Sequence, residues 1–381
     1  MLKSPDKERK MTKKSLVLIV IVVYLSLIHP FIASAIEPAR REITTGKAKG
    51  GGLWQELQHT ESARQEITTG KVSFGLGVDV GYLSGYSLYH ITFDAPYLIK
   101  DGGTYSGYYT INGRLGTGES ELEFPLDSYI GGVSASLGEE GVWSIDLSFA
   151  KNLTKDTGKM KDSDWEPVYV LSSGQRIQEK TIYSESDTEM NALFFDLIGK
   201  YYFLSEVTAS NAKGSVGVIG GYRYQNLSFD ISNVNQWSPI GIYSPVYVRG
   251  KALTYEITYN IPYAGLVLDW RSPGKYSLNL LGAYGRAYSK DEDDHILRSK
   301  RSTAKADGPF YSLKAQGAVS LSRRLSLLLA VEYLNIEVKG KQKQVWYATT
   351  SEATAGTTIT GINYSARSEQ TYIWSGIQYT F

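Results

Sequence analysis

Two short stretches hold side chains able to act on a substrate. Lys161-Asp162-Ser163-Asp164-Trp165 carries two carboxylates two residues apart, and Asp291-Glu292-Asp293-Asp294-His295 sets a His two residues after an Asp. Residues i and i+2 of an extended chain share a face. Asp293 can then orient the His295 imidazole, while Asp162 stands beside Asp164. Such an Asp–His pair, with a second carboxylate pair opposite, suits the activation of water, because a neutral imidazole takes a proton and carboxylates hold the developing charge. Alone, each stretch reads as a solvated acidic loop, since charge is common at loop tips. The His changes that balance. Of four His, His29 falls in an apolar leader and His59 in a polar tail, which leaves His90 and His295 in the body of the chain. No Gly-punctuated calcium loop surrounds the Asp-x-Asp, so no metal is expected.

Composition says where such a site can sit. The 381 residues include no Cys, 29 Tyr and 38 Gly. Without Cys there is no disulfide scaffold, thiolate zinc site or thiol nucleophile. Lys plus Arg number 40 against 39 Asp plus Glu, and this near balance gives no reason to expect nucleic acid as a partner. Tyr suits a membrane–water boundary, its ring apolar and its hydroxyl wet. The slightly negative mean hydropathy excludes a bundle of membrane helices. A barrel hides its apolar face by alternation and keeps a soluble-like average.

The elements that must position the motifs follow from the N-terminus onward. Lys13 and Lys14 precede an apolar run over 15–28, and Ala33-Ser34-Ala35 follows. This predicts a secretory signal peptide over 1–35, its apolar core short for a membrane span. Residues 36–71 are polar, with Arg41–Lys47 nearly repeated at Gln65–Lys71, and are expected to form a periplasmic segment. From Val72 the chain alternates. Leu253, Tyr255, Ile257, Tyr259, Ile261 and Tyr263 share one face, and Thr254, Glu256, Thr258 and Asn260 the other. The expectation is lipid on the apolar side and a wet lumen on the charged side. Leu325, Leu327, Leu329, Val331 and Tyr333 repeat the pattern with Glu332 reversed.

Ten such segments fall near 72–90, 119–137, 140–153, 189–204, 214–232, 253–272, 275–290, 305–322, 323–340 and 364–381. Short connections alternate with long ones at 91–118, 154–188, 233–252, 291–304 and 341–363. The predicted fold is all-β: a ten-stranded antiparallel transmembrane β-barrel over 72–381 with long extracellular loops. Closure leaves no sheet edge for lipid to meet. Ile373, Ile377, Tyr379 and Phe381 share a face of the last segment. That terminal aromatic resembles the sorting signal of outer-membrane barrels.

The two acidic motifs, with this strand order, make the chain similar to the omptin family of outer-membrane endopeptidases. Asp162-Ser163-Asp164-Trp165 matches the family's Asp-x-Asp-Trp, and Asp291-Glu292-Asp293-Asp294-His295 its second motif. Shorter matches include Leu83-Ser84-Gly85, Phe194-Phe195-Asp196-Leu197 and Pro262-Tyr263-Ala264-Gly265-Leu266. The resemblance implies hydrolysis of peptide bonds at the extracellular mouth. His295, held by Asp293, would be the base for a water positioned by Asp162 and Asp164, with no acyl-enzyme. It also implies a basic side chain bound before the scissile bond, partly by Asp291. The family's second acid in that pocket is replaced here by Tyr89, which can stack on a cation. Lipopolysaccharide is the one accessory the resemblance allows, although Tyr224, Asn226 and Thr258 replace family contact residues and only Tyr222 matches. No other cofactor is expected, and the expected partners are polypeptides and outer-membrane lipid, with the chain a monomer. The competing expectations are a catalytically silent barrel for adhesion and a small channel, the latter disfavoured because side chains largely fill a ten-stranded interior.

Overall fold

A period of two makes strands, and strands make up nearly all of this structure. The computed structural model describes residues 72–207, 212–273 and 275–381. The expected leader and polar segment lie outside the described residues. The strands are β1 (Val72–Ala95), β2 (Tyr97–Asp101), β3 (Thr104–Tyr109), β4 (Gly116–Pro125), β5 (Ser128–Glu139), β6 (Trp143–Asn152) and β7 (Asp156–Val170). There follow β8 (Gln175–Val207), β9 (Lys213–Trp237), β10 (Val246–Arg271), β11 (Tyr276–His295), β12 (Lys300–Ser320), β13 (Leu325–Trp346) and β14 (Thr358–Thr380). A single 3-10 turn, Ile296–Arg298, joins β11 to β12.

Ten of these close a ring. The order is β14-β13-β12-β11-β10-β9-β8-β6-β5-β1, and β1 pairs back to β14 along most of its length. The whole sheet counts fourteen strands because β4 continues the line of β5, β7 continues that of β6, and β2 and β3 form an added hairpin. The hairpin leans on β7 through a short parallel pairing. At the break between β4 and β5, the Leu126 amide donates to the Gly85 carbonyl at 3.1 Å. Gly85 has φ +141°, and a Cβ there would lie 2.0 Å from the Glu369 carbonyl oxygen. Only glycine fits this bend in β1.

The outward face changes character along each strand. Near the chain end it is apolar and exposed, with Val78, Val133, Leu266, Leu313, Leu329 and Ile377 standing out from the wall. This is the lipid-facing belt, and on β11 it reaches up to Tyr284, above which Arg286 pairs with Asp307 on the outer face. Above it the outward face is polar and the inward face apolar. The expected orientation of β10 is therefore corrected over its upper half. Leu253, Tyr255, Ile257, Tyr259, Ile261 and Tyr263 are buried inside the barrel, while Glu256 is exposed outside. Above the bilayer both outside and mouth are wet, so the interior becomes the core. Lower down the expectation holds: Leu327 and Leu329 face out, and Glu332 is buried within.

The expected long loops are also corrected, because most of them continue as strand. The stretch 154–188 is largely β7 and β8, joined at Leu171–Gly174. The stretch 291–304 shrinks to the turn between His295 and Lys300. A bilayer-crossing strand needs about ten residues. The 33 residues of β8 thus reach well past the membrane.

Two features fill the interior. High up, Phe124 stacks on Tyr255 and on Phe229 with ring centroids 4.8 Å apart in each case. Lower, Arg223 bridges Asp196 at 2.5 Å and Glu332 at 2.7 Å, and Tyr263 donates to Asp196 at 2.6 Å. Beside that network lies a cavity of about 190 Å³.

Candidate active site

The distal rim holds an open cleft of about 970 Å³ lined by residues from both walls. On one wall β7 presents Asp162 and Asp164, which share parity and point inward. Asp162 stands opposite Leu122 of β4 and Ser184 of β8, and Asp164 opposite Ser120. On the other wall β11 ends with Asp291, Asp293 and His295 on its inward face. The short turn after His295 fixes the next register, so that Lys300 of β12 stands directly across from it.

His295 Nε2 lies 2.9 Å from Asp293 Oδ2. The contact is close but off line for a hydrogen bond, and neither Asp293 oxygen has an aligned donor. Asp293 is almost fully buried, whereas His295 reaches the cleft. Burial, then the like charges of Asp164 and Asp293, pushes the Asp162 carboxyl well above its usual range. Burial also raises Asp164, against the pull of Ser120, Arg298, His295 and Lys300. Desolvation and their mutual like charge both favour the protonated form in this pair.

Asp291 sits deeper and does not line the cleft. It is 2% exposed, its oxygens lack an aligned donor, and burial pushes its carboxyl up to about 7. Nearby Tyr364 and Tyr255 hydroxyls act in the opposite sense. Tyr89 fills the space above, edge-on to Tyr255 at 5.7 Å and to Tyr364 at 5.6 Å. Its hydroxyl accepts from Gln342 Nε2 at 2.7 Å. Tyr89 lines the cleft floor.

The structure thus gathers Asp162, Asp164, His295 and Tyr89 around one cleft, with Asp293 behind His295 and Asp291 below. His90 takes the opposite parity to Tyr89 on β1 and pairs with Glu119 at 3.3 Å, away from the cleft. Two cations escaped the sequence reading. Arg298 binds Glu352 through Nε at 2.7 Å and Nη2 at 2.8 Å, and Lys300 lies buried beside Trp346. The hairpin register would have found Lys300, but a 291–304 loop hides it. Among the described residues no acidic or His cluster is arranged to hold a metal ion.

Fold and rim together define a class: a transmembrane β-barrel with an acidic, His-bearing cleft above its lipid belt. The omptin family model matches residues 131–381, which include both motifs but not Tyr89. The chain belongs to the omptin family, and so to the proteases of the bacterial outer membrane. Among solved structures, the outer membrane protease OmpT from Escherichia coli superposes with a TM-score of 0.60 at 17% identity, over 81% of this chain and 97% of that one. The translocator domain of the autotransporter NalP from Neisseria meningitidis gives 0.32 at 7% identity, over 86% and 95%. OprG from Pseudomonas aeruginosa gives 0.30 at 10%, over 82% and 98%. No curated protein sequence matches.

Proposed function

We propose that the cleft is an endopeptidase site facing the cell exterior, in which His295 activates a water for direct attack on a peptide carbonyl. The observation that carries this reading is the 2.9 Å His295–Asp293 contact on one wall of the cleft, facing Asp162 and Asp164 on the other. Asp293 orients the ring and stabilises the imidazolium that forms. Asp162 and Asp164 position the water. The proton taken by His295 then goes to the leaving amine, so no covalent intermediate is required.

The preferred side chain before the scissile bond is basic. Its cation stacks on Tyr89, with Asp291 beneath supplying negative potential. Tyr89 makes this preference weaker than a pair of carboxylates would, because a guanidinium loses one charge-assisted partner. Lipopolysaccharide supports the active form from outside the wall. Lys290, Lys305 and Lys341 stand directly opposite one another on β11, β12 and β13, two residues above Tyr288. Like charges so placed repel, and phosphate between them removes the penalty. One chain closes its own ring, so a monomer suffices.

Turnover of a quenched peptide by protein refolded with and without lipopolysaccharide tests the reading. His295→Ala is expected to lose at least about 10²-fold in kcat, the usual worth of a general base. Asp162→Asn is expected to fall comparably. Unchanged turnover in either variant would refute the mechanism.

A further inference from the structure

Attack of water on a carbonyl leaves negative charge on the carbonyl oxygen, and a wall of aspartates cannot stabilise it. A hydrogen-bond donor must lie where that charge appears, and a cationic donor offsets the charge most directly. Among the described residues lining the cleft, His295, Arg298 and Lys300 are the basic ones. His295 is neutral when it accepts the proton. Arg298 is already engaged by Glu352, which binds the Nε–Nη2 edge of its guanidinium and offsets its charge. Lys300 remains. Its side chain faces inward from β12, only 6% of the residue is exposed, and it stands in register with His295 on the neighbouring strand. Directly opposite residues place their Cβ atoms about 5 Å apart on the same face. Among the described residues the Lys300 ammonium makes no ion pair or side-chain hydrogen bond, and it lies 5.8 Å from the centre of the Trp346 ring.

We propose that Lys300 is the oxyanion-stabilising residue of this cleft. The inference rests on the water-activation reading of His295 and Asp293. As the water oxygen bonds to the carbonyl carbon, the π electrons move onto the carbonyl oxygen and the water proton passes to His295. The Lys300 ammonium donates to that oxygen. Collapse of the oxyanion expels the amine, which takes the proton from His295. Lys300 keeps its own proton throughout, and a cation in so dry a place acts strongly because little water screens it.

The groups facing Lys300 set when it is charged. Arg298 repels it, Asp293, Glu352 and Asp164 attract it, and His295 stands beside it. Burial dominates and brings its ammonium down to about 8. The charge is therefore present at neutral pH and lost above about 8.

Full-length protein carrying Lys300→Met, Lys300→Arg or His295→Ala is refolded with lipopolysaccharide and assayed on neutral and acidic quenched peptides across pH 6–10. Folding is checked by heat-modifiable gel mobility. Lys300→Met is expected to lose about 10²–10³ in kcat on both peptides with little change in KM, the usual cost of one oxyanion donor. Lys300→Arg, which keeps its charge, is expected to retain most of kcat and to extend activity above pH 8. Near-normal kcat in Lys300→Met, or a KM increase confined to acidic peptides, would overturn the proposal, the latter making Lys300 a substrate-anion contact. If Lys300→Met does not fold, an unshifted alkaline limb in Lys300→Arg overturns it. An active His295→Ala would instead remove the water-activation reading itself.

Discussion

Burial shapes what each acid of the cleft can do. Asp291 is the clearest case, a carboxyl raised to about 7 with no aligned donor. The folded chain then holds a proton that the unfolded chain, with its ordinary carboxyl, has released by about pH 5. Stability falls as pH rises from about 4 to about 7 and stays low above that. The cost at alkaline pH is at most about 4 kcal/mol, the three-unit shift converted. Asp291→Asn removes the charge without changing the shape. It is expected to melt higher than the parent at pH 8 and equally at pH 4 in the same detergent. A difference independent of pH would show that Asp291 is not neutralised by burial. The same titration bears on substrate choice. Below about pH 7 Asp291 is neutral, so discrimination between Arg and Leu peptides is expected to narrow.

At the scale of the strand, period two locates a face but not the solvent beyond it. The ten ring strands were legible because alternation persists through bilayer and water alike. The acid–His spacing was legible for the same reason, since Asp291, Asp293 and His295 keep one parity. What alternation cannot say is which face looks inward. On β10 the apolar face is inside above Tyr263, while Leu266 and Leu268 lie outside below it. Strand extensions with polar outer faces also pass for loops, and Lys300 was lost there. A matched pair of substitutions tests the inversion. Leu266→Arg puts a cation into lipid and is expected to cost about 2–4 kcal/mol if it lies near the midplane. Thr254→Arg lies outward on the same strand, between Asp230 and Asp294. Its effect is expected within about 0.5 kcal/mol, as for an exposed site. Urea unfolding in lipid vesicles measures both, and equal costs would place the lipid boundary wrongly.

Across the whole molecule, the barrel holds two polar-lined cavities. Above is the cleft, and below is the charged cavity beside Arg223, Asp196 and Glu332. Between them Phe124, Phe229 and Tyr255 stack face to face, each at most 1% exposed. Tyr89 and Tyr364 extend the layer sideways. The stacked rings fill the interior and the few hydroxyls at the layer's margin are engaged with Asp291, Gln342 and one another, so an ion crossing it loses most of its hydration. The Arg223 network below is fixed by its own pairing, and breaking it would strand buried carboxylates at a cost of about 3–5 kcal/mol. Both barriers fit a protease that must not leak. Liposome swelling with small sugars and planar-bilayer conductance are expected to match protein-free controls. Replacing Phe124 and Phe229 together by Ala removes the stacked rings without altering the Arg223 network or the aspartates and His295 of the cleft. This variant, once gel mobility shows it folded, is expected to gain conductance while keeping the pH profile of peptide cleavage. Steady conductance in the parent would mean that the aromatic layer opens, and that the site is not insulated from the cavity below.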